Sequence, residues 1–99
     1  MWEHAVQKVM DYIDNVLIEP ERKWQPYLFE AWSYSRWAAT EILHLLMDRP
    51  YEFPEDVIAS FALKMQMYAG ESSQKDRLKF QTAADVAEEI LEFYLKGAM

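Results

Sequence analysis

The four prolines of the chain are the strongest constraint on its fold, because they lie between segments with a helical period. Pro20 and Pro26 flank one connection, and Pro50 and Pro54 flank the next. Proline lacks the backbone N–H that a helix interior needs, but it is well suited to the first position of a helix. The sequence therefore predicts that helices end before Pro20 and Pro50 and begin at Pro26 and Pro54.

The segments between the prolines have apolar residues at helical spacing. In the first segment one face collects the residues Trp2, Ala5, Val6, Val9, Met10, Ile13, Val16 and Leu17. The second segment is bounded near residues 26 to 48. Gly70 is predicted to close the third helix as a left-handed cap.

The start of the fourth helix is ambiguous, since both Ser73 and Thr82 precede an acidic residue at capping-box spacing. An apolar face continues from residue 80 onward, which favours one helix from about residue 74 to 96, with a break near Thr82 as the alternative. Alternating β-branched residues, which would indicate a strand, are absent from the sequence. The predicted fold is a single all-α domain over residues 1–99, a small up-and-down bundle of four amphipathic helices with short connections.

Composition and charge limit the function classes. The chain has no cysteine, which excludes disulfides and thiolate metal sites. Ten basic and seventeen acidic residues give a net charge of -7, so direct binding to nucleic acid is not expected. No apolar run reaches the ~20 residues of a membrane span, and the start MWEHAVQK lacks the apolar core of a signal peptide. We therefore expect a cytoplasmic protein with no membrane contact.

The second helix contains more aromatic residues than one core face can hold. The stretch is WQPYLFEAWSYSRWAATEILHLLMD. On a helical wheel, Trp32 lies in the apolar arc that faces the core, whereas Trp37 lies in the polar arc, with Tyr34 at the edge of that arc. Either the first connection or the chain end covers Trp37, or Trp37 and Tyr34 anchor a protein interface, where Trp and Tyr are common hot spots.

The third helix has a second apolar stripe. Leu63 and Met67, one turn apart, point away from its predicted core face. Such a helix is either central in the bundle or shared with another chain. Two surplus stripes make a homodimer a reasonable hypothesis.

Two pairs of residues have spacings that metal enzymes use. Glu41 and His44 form one Glu-x-x-His pair, which is typical of di-iron bundles, but those bundles need it twice. Glu89 and Glu92 form a Glu-x-x-Glu pair that resembles the magnesium-binding helix of all-α nucleoside triphosphate pyrophosphatases, which need a second acidic pair on a following helix. Neither pattern is complete, so no family, metal or cofactor is predicted, and both pairs are interpreted as solvated faces.

The sequence thus favours a small acidic, non-enzymatic protein-interaction or assembly module that self-associates as a homodimer. The candidate interface residues are Tyr34, Trp37, Leu63 and Met67. Two alternatives stay open: a metal-dependent enzyme assembled across a dimer through Glu41 and His44, and an acidic antagonist of a nucleic-acid-binding protein.

Overall fold

The computed structural model describes residues 2–21, 23 and 26–97, with backbone alone for Pro26 and Gly97. It contains the helices α1 (Trp2–Asn15), α2 (Pro26–Asp48), α3 (Pro54–Glu71) and α4 (Gln74–Gly97). The described residues form no strand, and the predicted all-α four-helix bundle is confirmed. Within the described ranges, no helix is both long and apolar enough to cross a membrane.

Contacts between neighbouring helices show an antiparallel arrangement. At one end of α1 the Trp2 indole donates to the Leu46 carbonyl, and beyond its other end the Leu17 carbonyl accepts from the Trp32 indole at 3.1 Å. On the opposite side of the bundle, α3 and α4 form a hairpin with the most extensive packing in the molecule. Helix α4 also packs against α1 and α2, and both α2 and α4 contact all three other helices.

The core is built from the apolar faces that the sequence indicated. Fully or nearly fully buried side chains come from all four helices and include Val9, Tyr12, Ala38, Ala39, Ile42, Leu46, Val57, Ile58, Phe61, Met65, Ala83, Ala87, Ile90 and Tyr94. Several of the buried residues on the contacting helices α2 and α4 are alanines: Ala38, Ala39, Ala83, Ala84 and Ala87. The core faces predicted from helical wheels are largely confirmed, since most of their side chains are buried. These faces are Val57, Ile58, Phe61, Ala62, Met65 and Tyr68 on α3, and Phe80, Ala83, Ala87, Ile90, Leu91 and Tyr94 on α4.

The connection between α3 and α4 differs from the prediction. Helix α3 continues past Gly70 to Glu71, and none of the described glycines has a positive φ, so the predicted left-handed cap at Gly70 is wrong. The chain instead turns at Ser72 in an extended conformation. The Ser73 carbonyl accepts from the Asp76 and Arg77 amides and so begins α4. Because α4 then continues without interruption, the alternative break near Thr82 is also wrong.

Helical wheels place four residues on core faces that are more exposed than predicted: Met10, Val16, Leu28 and Tyr68. Met10 on α1 is 43% exposed. Helix α1 ends at Asn15, which leaves Val16 outside it and 43% exposed. Leu28 is 41% exposed because it lies in the first turn of α2, at the edge of the bundle. Tyr68 is 38% exposed, with its ring packed edge-on against Phe80 at 5.4 Å. Helical periodicity predicts which side of a helix is apolar, but it does not predict where along the helix that side extends beyond the neighbouring helix and becomes exposed.

Candidate interaction surface and groove

The outer face of α3, which we define as Ala59, Leu63, Met67 and Gly70, is the first candidate site. Leu63 and Met67 are 62% and 63% exposed and lie one turn apart. On a helix that turns about 100° per residue, these positions are opposite the buried side chains of Ile58 and Met65. Central burial of α3 is therefore wrong as an explanation of the second stripe, because this stripe faces away from α2 and α4.

Trp37 lies at a different place, half-buried against the core. Its ring centroid is 6.5 Å from that of Phe61 on α3, and the Lys79 ammonium group of α4 lies 4.4 Å above the indole. The described contacts that cover the indole thus come from two helices, whereas the sequence left open either cover by the first connection or the chain end, or a protein interface. Trp37 lies in the polar arc of α2 and still packs against the core, because its long side chain reaches sideways toward Phe61 of α3.

Tyr34 lies one turn before Trp37 on α2 and is partly exposed. Its hydroxyl donates to Glu30 Oε1 at 2.8 Å. This hydrogen bond is the main reason that the Tyr34 pKa is raised above its usual value. The tyrosine hydroxyl is therefore satisfied within α2, and the ring remains accessible.

A groove between α2, α3 and α4 is the second candidate site. It encloses about 350 Å³ and has an apolar floor that includes Leu45, Val57, Phe61 and Met65. Trp37, Tyr68 and Phe80 border it, together with the charged residues Glu41, Arg49, Lys64 and Lys79. Leu63 and Met67 do not line this groove, so the two candidate sites are distinct surfaces of the same helix.

Sequence reasoning did not single out Lys64 and Lys79. Lys64 lies four residues before Tyr68 on α3, and its ammonium group is 5.9 Å from the tyrosine ring. That spacing was visible in the sequence as an i, i+4 pair. The contact between Lys79 and Trp37 had no such signal, because the two residues belong to helices that are adjacent only in the folded molecule.

The metal-enzyme patterns stay incomplete in the structure. His44 is exposed, whereas Glu41 is half-buried and borders the groove. Among the described residues, no group of three or more His, Asp or Glu side chains is arranged to hold a metal ion.

Glu89 and Glu92 lie on the exposed side of α4, in accord with their interpretation as a solvated face. Glu89 has a structural partner on α1, the buried Tyr12. Burial, followed by the charge and hydrogen bond of Glu89, raises the Tyr12 pKa well above its usual value. The Tyr12 hydroxyl therefore stays protonated, close to the Glu89 carboxylate of α4.

Comparison of the chain with protein families, with curated proteins and with solved structures finds no match.

Replacement of Trp37 by alanine tests the packing of this residue directly. We expect the free energy of unfolding to fall by about 2 kcal/mol, less than the 3 to 5 kcal/mol that removal of a fully buried tryptophan costs, because the indole is only half-buried. Urea denaturation followed by circular dichroism measures the change. A Trp37→Phe variant, which keeps an aromatic ring beside Phe61, should recover most of the loss. No measurable loss in Trp37→Ala would show that the indole contributes nothing to the fold.

Proposed function

We propose that the protein is a non-enzymatic interaction module that self-associates through the outer face of α3. The observation that carries the proposal is the exposure of Leu63 and Met67, both above 60%, on a face that no other helix covers among the described residues. Leaving two large apolar side chains in water forgoes about 2 kcal/mol of burial each. A second protein surface is a common reason for such a pair.

The spacing of this face suits a twofold symmetric contact. Suppose that two α3 helices pack antiparallel about a twofold axis on the outer face, at the height of residue 65 along the helix. Leu63 of each subunit then meets Met67 of the partner subunit. Ala59 and Gly70 lie at either end of the pair and add little bulk, so the helices can approach closely. A symmetric contact of this kind uses the same residues twice, as in most soluble dimers.

The charge of the chain predicts how salt affects the association. Each copy has a net charge of -7, so two copies repel one another at low ionic strength. Added salt screens this repulsion and leaves the apolar contact in place. Self-association should therefore strengthen as salt is raised, whereas binding of an acidic antagonist to a basic partner would weaken.

Sedimentation velocity of the purified protein at micromolar concentrations tests the proposal. We expect a dimer whose dissociation constant decreases from low to high salt. The opposite salt dependence would contradict an association driven by apolar contact. A protein that stays monomeric at the highest soluble concentration in high salt would contradict self-association itself.

A further inference from the structure

The groove between α2, α3 and α4 differs in charge from the rest of this acidic chain. Among the described residues that line it, Arg49, Lys64 and Lys79 are cationic, and Glu41 alone carries a carboxylate. Arg49 already has a partner, since its Nε lies 3.6 Å from the Glu52 carboxylate. Lys64 and Lys79 form no ion pair with any carboxylate in the described residues. A local excess of positive charge on a protein of net charge -7 favours an anionic occupant.

The two lysines are held by the aromatic walls of the groove. The Lys79 ammonium group lies over the Trp37 indole at 4.4 Å, and the Lys64 ammonium group lies 5.9 Å from the Tyr68 ring. Cation–π contact of this kind restrains a flexible side chain without neutralising its charge. The ammonium groups thus remain available to an anion beside an apolar floor.

The size of the groove limits the occupant. Its volume of about 350 Å³ is near the lower end of the range for small-molecule sites. A protein partner would need a contact area of roughly 800 Å² on each side, which a depression of this size does not provide alone. We propose that the groove binds a small anionic amphiphile, a carboxylic acid whose apolar body lies on Leu45, Phe61 and Met65 and whose carboxylate lies between Lys64 and Lys79.

This proposal is independent of self-association, because Leu63 and Met67 lie outside the groove. A variant that is monomeric through a change at Leu63 should bind the same ligand with unchanged affinity. Loss of ligand binding and loss of dimerisation can therefore be measured separately.

Two fluorescent probes with nearly the same aromatic body separate the charge from the apolar contribution. Anilinonaphthalene sulfonate is an anion, and N-phenylnaphthylamine is neutral. We expect the sulfonate to bind with increased fluorescence and to be displaced by decanoate more effectively than by decanol, which has the same chain length without the charge. Absence of sulfonate binding, or equal displacement by decanoate and decanol, would overturn the proposal.

Variants then locate the site. The double variant Lys64→Gln, Lys79→Gln should weaken binding of the sulfonate about fivefold and leave the neutral probe nearly unchanged, since rim charges contribute modestly. Glu41→Gln should have the opposite effect and strengthen sulfonate binding about twofold, because it removes a carboxylate that borders the groove.

A matched control and a blocking variant complete the test. Lys96→Gln removes one positive charge at the far end of α4, whereas the double variant removes two, and it should change nothing. Ser60→Phe places a bulky ring at the exposed rim of the groove and should abolish binding of both probes. If Lys96→Gln weakens the sulfonate as much as the double variant, or if Ser60→Phe has no effect, the probes bind elsewhere and the proposal is wrong.

Discussion

Leu63→Asp is expected to yield a folded monomer under conditions in which the unsubstituted protein is a dimer. The leucine is 62% exposed in the single chain, so folding loses little when it is replaced. The intrinsic cost of aspartate in a helix interior is about 0.7 kcal/mol or less. In the proposed dimer, by contrast, the symmetric contact would bury two carboxylates against Met67 of the partner subunit. We expect the dissociation constant to rise by about a hundredfold or more.

The matched control is Leu78→Asp, which makes the same chemical change at another exposed leucine. Leu78 is 53% exposed and lies in the first part of α4, away from the outer face of α3. Sedimentation velocity should therefore show a dimer for Leu78→Asp and a monomer for Leu63→Asp, with similar unfolding curves for both. Equal association of the two variants would show that the outer face of α3 is not the contact. Unfolding of Leu63→Asp alone would show instead that Leu63 stabilises the single chain.

The helices were predictable from the sequence because their boundaries depend on local chemistry. Pro26 and Pro54 begin helices α2 and α3, and the predicted span of α2, residues 26 to 48, agrees with the structure. Proline acts through its own ring and its missing N–H, so its effect does not depend on distant residues. At Gly70 the same kind of local argument failed. Glycine permits a left-handed turn but does not require one, and α3 continues to Glu71.

The outer face of α3 was also visible in the sequence, since Leu63 and Met67 belong to one helix whose core face is clear. Trp37 was harder to place because a helical wheel fixes the direction of its Cα–Cβ bond and not the reach of its side chain. The neighbours of its indole, Phe61 and Lys79, lie on two other helices. Contacts of this kind depend on how the helices pack, and no spacing within one helix encodes them.

The groove was missed for the same reason. Its lining comes from α2, α3 and α4, and each helix contributes residues that look ordinary alone: Glu41 as a solvated acid, Lys64 as a surface lysine and Phe80 as a core residue. Tyr68 shows the difference most clearly. Periodicity placed it in the core, but its side chain is 38% exposed and borders the groove. The two candidate sites thus differ in origin, one from a single helix and one from the assembled bundle.

Ile90→Ala is expected to cause the largest loss of folding stability among the changes considered. Ile90 is fully buried on α4, which packs against all three other helices, as α2 also does. Removal of its branched side chain loses transfer free energy and leaves a cavity that the surrounding helices close only in part. The expected loss is about 3 to 4 kcal/mol, which would lower Tm by roughly 15 °C or more in a domain of this size.

The measurement is best made in the Leu63→Asp background, because dimerisation would otherwise make the apparent stability depend on protein concentration. Urea and thermal unfolding of the monomer then report on the fold alone. Leu95→Ala is the matched control on the same helix: Leu95 is 48% exposed, and its truncation should cost less than about 1 kcal/mol. Similar losses for Ile90→Ala and Leu95→Ala would contradict the central position of α4, since that position requires its buried face to contribute far more than its exposed face.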